Sequence, residues 1–205
     1  MATDYLGGDK MMTDTTIDFP KNATEKERNI KWKKLAEISD IDFGFTDLEE
    51  KADKTKFSVR ILLYNEKGEI CIIKSEKYGY FQLPGGGIEE VESIIEAATR
   101  EAKEESGYLI KDIEAIGYTI EHRESIRNKH DWKRDISFNF RDVAAENVGT
   151  SYTEEEVSEG FVPIWVNIND VLEMLSKNEG HIESYSGNFS NRRDLEIVKS
   201  VIESM

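Results

Sequence analysis

The chain has 205 residues, enough for one domain of ordinary size with length left over for an extension or a terminal arm. Its 42 acidic against 27 basic side chains give a formal charge of −15, so the mean field repels phosphate backbones and anionic membrane surfaces and argues against nucleic-acid and membrane partners. A small phosphorylated substrate could approach only where a cation or a local basic cluster reverses that field. The single cysteine, Cys71, lies in the apolar run Ile70-Cys71-Ile72-Ile73 and leaves no intrachain disulfide to form. With no apolar run near about 18 residues and no charged-then-apolar leader, the expected location is the cytoplasm.

Residues 1–55 lack strand periodicity and are expected to form an extension, partly disordered. It carries an Asp and Thr cluster, Thr13-Asp14-Thr15-Thr16, and one helix from Thr24 to Ser39. Ile30, Trp32, Leu35 and Ile38 would give that helix a partial apolar face, to cap the domain or to self-associate. From Phe57 the character changes. Phe57 to Tyr64 reads as a strand, Asn65 to Gly68 as a turn, and Glu69 to Lys74 as the returning hairpin partner. Tyr78 to Leu83 reads as a short strand running into Pro84-Gly85-Gly86-Gly87, where the chain must change direction. A helix is expected from Glu90 to Ser106, stopped by Gly107. Strands follow at about Ile113 to His122, Asp135 to Val143 and Phe161 to Asn167, then a helix opened by Asn169 or Asp170 and a last one from about Asn191. Thr150 to Gly160 reads as an acidic loop. Strands and helices mix without strict alternation, which predicts an α+β fold with its main domain over residues 56–205.

The helix after the glycines carries the chemistry. At about 100° per residue, Val91, Ile94, Ile95, Ala98 and Ala102 form a narrow apolar stripe facing the core. Glu101 and Glu105 fall in or beside that stripe, and Glu104 flanks them. Like charges at i, i+3 and i+4 destabilise a helix unless neutralised, by Arg100, by a hard divalent cation, or by both. The bland alternative is a charged surface helix laced with ion pairs. The glycine loop tilts the choice, because it lets backbone groups approach a phosphate or metal closely, directly before a helix N-terminus. His122, His130 and His181 show no metal-ligand spacing and receive no role.

Gly86, five residues, Glu92, seven residues, then Arg100-Glu101-Ala102-Lys103-Glu104-Glu105-Ser106-Gly107-Tyr108 resembles the Nudix box. All seven strongly specified positions, Gly86, Glu92, Arg100, Glu101, Glu104, Glu105 and Gly107, hold the expected residue. Ala102 and Tyr108 depart mildly from aliphatic preferences. The resemblance covers about residues 56–205 and implies a Nudix-type α/β/α sandwich with a mixed sheet. It implies Mg²⁺, with Mn²⁺ able to substitute, held by Glu101, Glu104, Glu105 and the carbonyl of Gly85. Arg100 and Glu92 would brace loop and helix, and Gly107 would end it. Glu101 is the first choice for general base. Glu159, in an acidic run before Trp165, resembles a late-loop carboxylate that serves some members, or is simply solvated. Gly86, Gly87, Arg60 and Phe81 are the expected substrate contacts.

The implied reaction is hydrolysis of a pyrophosphate bond in a nucleoside diphosphate linked to another moiety. No Pro or Tyr occupies the neighbourhood about sixteen residues after the box glycine, where Arg123-Glu124-Ser125 stands. This leans toward triphosphates, with ADP-ribose, nucleotide sugars and dinucleoside polyphosphates as alternatives. A catalytically silent nucleotide sensor is the alternative of another class. Family habit allows a homodimer.

Overall fold

The computed structural model describes residues 17–44, 54–124, 132–178 and 184–205. The cluster Thr13 to Thr16, His130, His181 and the expected terminal disorder lie outside them. Strand β2 (Lys54–Tyr64) organises the rest. The turn after it forms as its residues dictate, with Asn65 Oδ1 accepting from the backbone N–H groups of Lys67 and Glu69, both at 2.9 Å. Yet β2 meets its hairpin partner β3 (Ile70–Ser75) only at Tyr64↔Ile70 and then splays away. On one side β2 runs parallel to β6 (Trp132–Val143) along its whole length. On the other the glycine loop fills the gap: Ile61 N–H donates to Pro84 O, Val59 N–H to Gly86 O, and Ile88 N–H to Phe57 O, each at 2.9 Å. The glycines therefore lie flush against the strand, at Gly85 so closely that a Cβ would come 2.1 Å from Val59 O.

Among the described residues seven strands make one mixed sheet; with β1 at Lys34–Ser39, they are ordered β1-β5-β6-β2-β3-β4 with β7 (Phe161–Val166) on β3. β4 is Phe81–Gln82 and β5 is Glu114–Glu124. One face packs against α2 (Ile94–Glu101) through Val59, Ile61, Ile73, Ile94, Ala98 and Phe138. The other packs against α4 (Ile168–Asn178) and α5 (Tyr185–Ile202) through Leu62, Ile72, Leu83, Val171, Leu195 and Val198. The result is the expected α/β/α sandwich. Among the described residues no helix is long and apolar enough to cross a membrane.

Several expectations are corrected. The helix over Thr24 to Ser39 is a single turn, α1 (Glu25–Arg28), capped by Thr24 with Glu27 reaching back. Lys34–Ser39 is instead strand β1, parallel to β5 at the sheet edge. Pairing and packing override helix propensity here: Trp32 stacks edge-on to Phe138 and Phe140, and Leu35 covers Gly117 where a Cβ would lie 2.8 Å from its Cδ2. The helix expected from Glu90 starts at Ile94, capped by Ser93, and Val91 stands exposed instead of on the core stripe. Its last turn, Ala102–Ser106, is a π turn. The acidic stretch Thr150 to Gly160 contains a helix, α3 (Glu154–Glu159), opened by a capping box of Thr153 and Glu156. α5 begins at Tyr185, earlier than Asn191, and α4 begins at Ile168, one residue before Asn169.

Candidate active site

Glu101, Glu104 and Glu105 straddle the junction where α2 widens into the π turn. A π turn leaves main-chain carbonyls in need of donors, and two come from the segment before α3. Ser151 N–H donates to Glu104 O at 2.8 Å and the Tyr152 hydroxyl to Glu105 O at 2.9 Å. Gly107, at φ 80°, closes the turn in the left-handed region and stacks its Cα side on Gly149, so a Cβ would meet Gly149 C at 3.0 Å.

Two of the three carboxylates turn inward onto the glycine loop. Glu105, 2% exposed, accepts from Gly85 N–H at 2.7 Å. Glu101 presses against Gly86, where a Cβ would sit 2.4 Å from its Oε1. Burial pushes the Glu105 carboxyl well above the usual carboxylate range, with the Gly85 N–H opposing and the Glu101 charge adding to the rise. Burial also raises Glu101, against the pull of Arg100. Arg60, on β2 beside Val59, acts through space on both carboxylates.

Arg100 ties the assembly together. Its Nε and Nη2 fork onto Glu92 at 3.0 and 2.6 Å, its Nη1 reaches Glu101 at 2.7 Å and Glu104 at 3.0 Å, and Nη2 also donates to Gly87 O at 3.0 Å. Planar bidentate geometry suits this bridging as no ammonium could. The guanidinium holds the Glu92 carboxyl below its ordinary value. It also draws Glu104 outward. Among the described residues no three acidic, His or Cys side chains lie together closely enough to hold a metal ion: Glu105 turns onto Gly85, while Glu101 and Glu104 both sit on Arg100 Nη1.

The other expected residues fall as follows. Glu159 ends α3 and accepts from the Tyr80 hydroxyl at 3.1 Å, while its main-chain O accepts from Lys77 N–H at 3.1 Å. Glu156, one turn earlier, acts electrostatically on Glu105 and was not singled out in the sequence. Its signal was present as the fourth residue of the Thr153 capping box. Gly87 has open space where a Cβ would stand. Phe81 packs with the apolar cluster under α4 and α5.

A family model described as NUDIX domain matches residues 54–186. The chain is 43% identical over 54 residues to the 8-oxo-dGDP phosphatase NUDT18 of Danio rerio, a stretch covering 25% of this chain and 17% of that one. It is 41% identical over 59 residues to an RNA pyrophosphohydrolase of Wolbachia sp. subsp. Brugia malayi (strain TRS), covering 28% of this chain and 37% of that one. Matched stretches thus span well under half the length of either relative. Among solved structures, the NUDIX domain of Shewanella oneidensis NrtR, complexed with ADP ribose, superposes with a TM-score of 0.50 at 15% identity, over 74% of this chain and 89% of that one.

Proposed function

Because this chain belongs to the Nudix family, we propose that it hydrolyses the pyrophosphate bond of a nucleoside diphosphate linked to a further group, a nucleoside triphosphate in the first instance, with Mg²⁺ or Mn²⁺. The observation that carries this is Glu105: a carboxylate 2% exposed, facing the Glu101 charge, and hydrogen-bonded to no basic side chain among the described residues. Burying such a group is costly unless a cation compensates it. Carboxylate oxygens on one wall and a loop that admits phosphate on the other fit a hard divalent ion.

Glu101, Glu105 and the carbonyl of Gly85 would hold the ion, with Glu104 swinging in from Arg100. The carbonyls of Pro84 and Gly86 are already taken by β2, and Gly85, between them in the chain, donates its N–H to Glu105. When bound, the ion lowers the pKa of attached water and offsets charge on phosphoryl oxygens. Glu101, whose proton affinity burial raises, would accept the water's proton at its carboxylate, with Glu159 the alternative acceptor. Arg100 and Glu92 would fix the loop, and Arg60, Gly86 and Gly87 would receive the phosphates. Phe81 would wall the substrate side only through its packing.

A panel of (d)NTPs, ADP-ribose, nucleotide sugars and dinucleoside polyphosphates tests this, with Mg²⁺ and with chelator. Turnover of one class that chelator abolishes and Glu105→Gln cuts by orders of magnitude is the expected result. Undiminished turnover by Glu105→Gln at saturating Mg²⁺ would sink the assignment.

A further inference from the structure

Asp194 stands in the interior of α5 with no exposed surface, although aspartate is a poor residue for a helix interior and a costly one for a core. Both of its oxygens are engaged. Oδ1 accepts from Arg193 Nε at 2.8 Å, and Oδ2 accepts from the main-chain N–H of Leu83 at 2.7 Å. Arg193, also buried, continues the series: its Nη1 lies 3.0 Å from Glu121 Oε1, and Glu121 Oε2 lies 3.3 Å from Arg123 Nε. A chain of alternating charge thus runs from β5 through α5 and ends on one backbone hydrogen. Such buried pairs are a weak source of stability, because well-packed apolar residues in their place often serve as well or better. What this chain holds at its end is therefore the better account of it.

Leu83 is where the backbone changes partners. β4 pairs with β3 as far as Ile73↔Gln82, whereas Pro84 O and Gly86 O bond to β2. The Leu83 N–H falls between these two sets of bonds, and α5 supplies its acceptor. Pro84 has no N–H to offer, and the Gly85 N–H goes to Glu105. Three elements therefore fix three consecutive residues: α5 holds Leu83, β2 holds Pro84 and the π turn holds Gly85. Released from α5, this stretch would pivot about the bond from Ile61 to Pro84 and carry Gly85 against Glu105.

We propose that Asp194 is a positioning residue, which anchors the entry to the glycine loop from α5 and so fixes Gly85 against Glu105 and Gly86 against Glu101. Its kinetic consequence rests on the pyrophosphate hydrolase reading. Asp194→Leu removes the acceptor while Arg193 keeps Glu121 as its partner, which favours survival of the fold. Asp194→Asn keeps an acceptor oxygen of similar reach.

Amide hydrogen exchange followed by NMR, without substrate, should find Leu83 of the wild-type chain protected as strongly as the sheet core. In Asp194→Leu the Leu83 and Gly85 amides should exchange at least about tenfold faster. Measured well below that variant's melting temperature, kcat should fall about tenfold to a hundredfold, with KM moving less than about threefold. Asp194→Asn should recover most of the lost kcat. A merely structural aspartate would leave kcat of the folded leucine variant intact, and that result overturns the proposal. So does a loss in Asp194→Asn equal to that in Asp194→Leu. A Leu83 amide that exchanges like an exposed loop in the wild-type chain overturns it too, whether or not the leucine variant folds. Protection at Leu83 that Asp194→Leu abolishes, in a chain that turns over no substrate, would uphold the anchor and refute the hydrolase.

Discussion

Two adjacent glycines separate sharply at the level of single side chains. A methyl group on Gly86 would enter the Glu101 carboxylate, whereas one on Gly87 would meet nothing within 4 Å. Gly86→Ala should therefore lower turnover at least about a hundredfold, by displacing the proposed base from its geometry, and Gly87→Ala should stay near wild type; steady-state kinetics on whichever nucleotide proves the substrate decides it. Arg100→Lys makes a second contrast. It keeps the charge but cannot fork onto Glu92 while bridging Glu101 and Glu104. We expect kcat to fall about tenfold or more with little change in melting temperature; retention of full kcat would mean that charge alone suffices there.

At the level of elements, the arm before β2 holds α2 from outside. Glu27, 1% exposed, accepts from Ile95 N–H at 2.7 Å with one oxygen and from Thr24 N–H at 2.6 Å with the other, and its own main-chain O takes the Trp32 indole N–H at 2.9 Å. Glu27→Ala would strand a buried helix N–H, and urea unfolding should show a loss of about 1–3 kcal/mol. Trp32→Ala should cost about 3–5 kcal/mol. Losses within error would show the arm to be loosely docked. This arm is also where sequence reading fell short. Lys34 to Ser39 contains good helix formers, and only pairing with β5, 85 residues distant at His122–Glu37, makes it a strand. The box, by contrast, was legible because its chemistry is local: a loop, one helix and fixed spacings. The helical wheel even placed Glu101 and Glu105 toward the core, although it could not foresee that a π turn carries the second of them. The burial of the polar side chains on one face of β6 was invisible for the opposite reason. Asp135, Ser137 and Asn139 alternate along β6 as a solvent-facing strand would, and nothing in one strand tells that a helix covers them.

For the molecule as a whole, acidity and metal should be coupled. Burial raises the carboxyls of Glu101 and Glu105 above their ordinary value of 4.5. A raised carboxyl contributes stability that is complete below its unfolded value and is lost as pH climbs through its folded one. The chelated protein should thus lose melting temperature from these groups as pH rises from about 4.5 toward neutrality, and the gain given by Mg²⁺ should widen over the same range. Glu105→Gln should flatten that widening; a Mg²⁺ increment independent of pH would contradict the buried-carboxylate account.

The splayed hairpin has a last consequence. β2 presents Arg60 toward one side and lines up the glycine loop along its edge, and it is held by β6 at every residue from Lys54 to Tyr64. Arg60 and the glycine loop are thus set by one backbone: the strand pairs with β6 on one side and with Pro84, Gly86 and Ile88 on the other, so any shift of β6 against β2 would carry the guanidinium and the loop together.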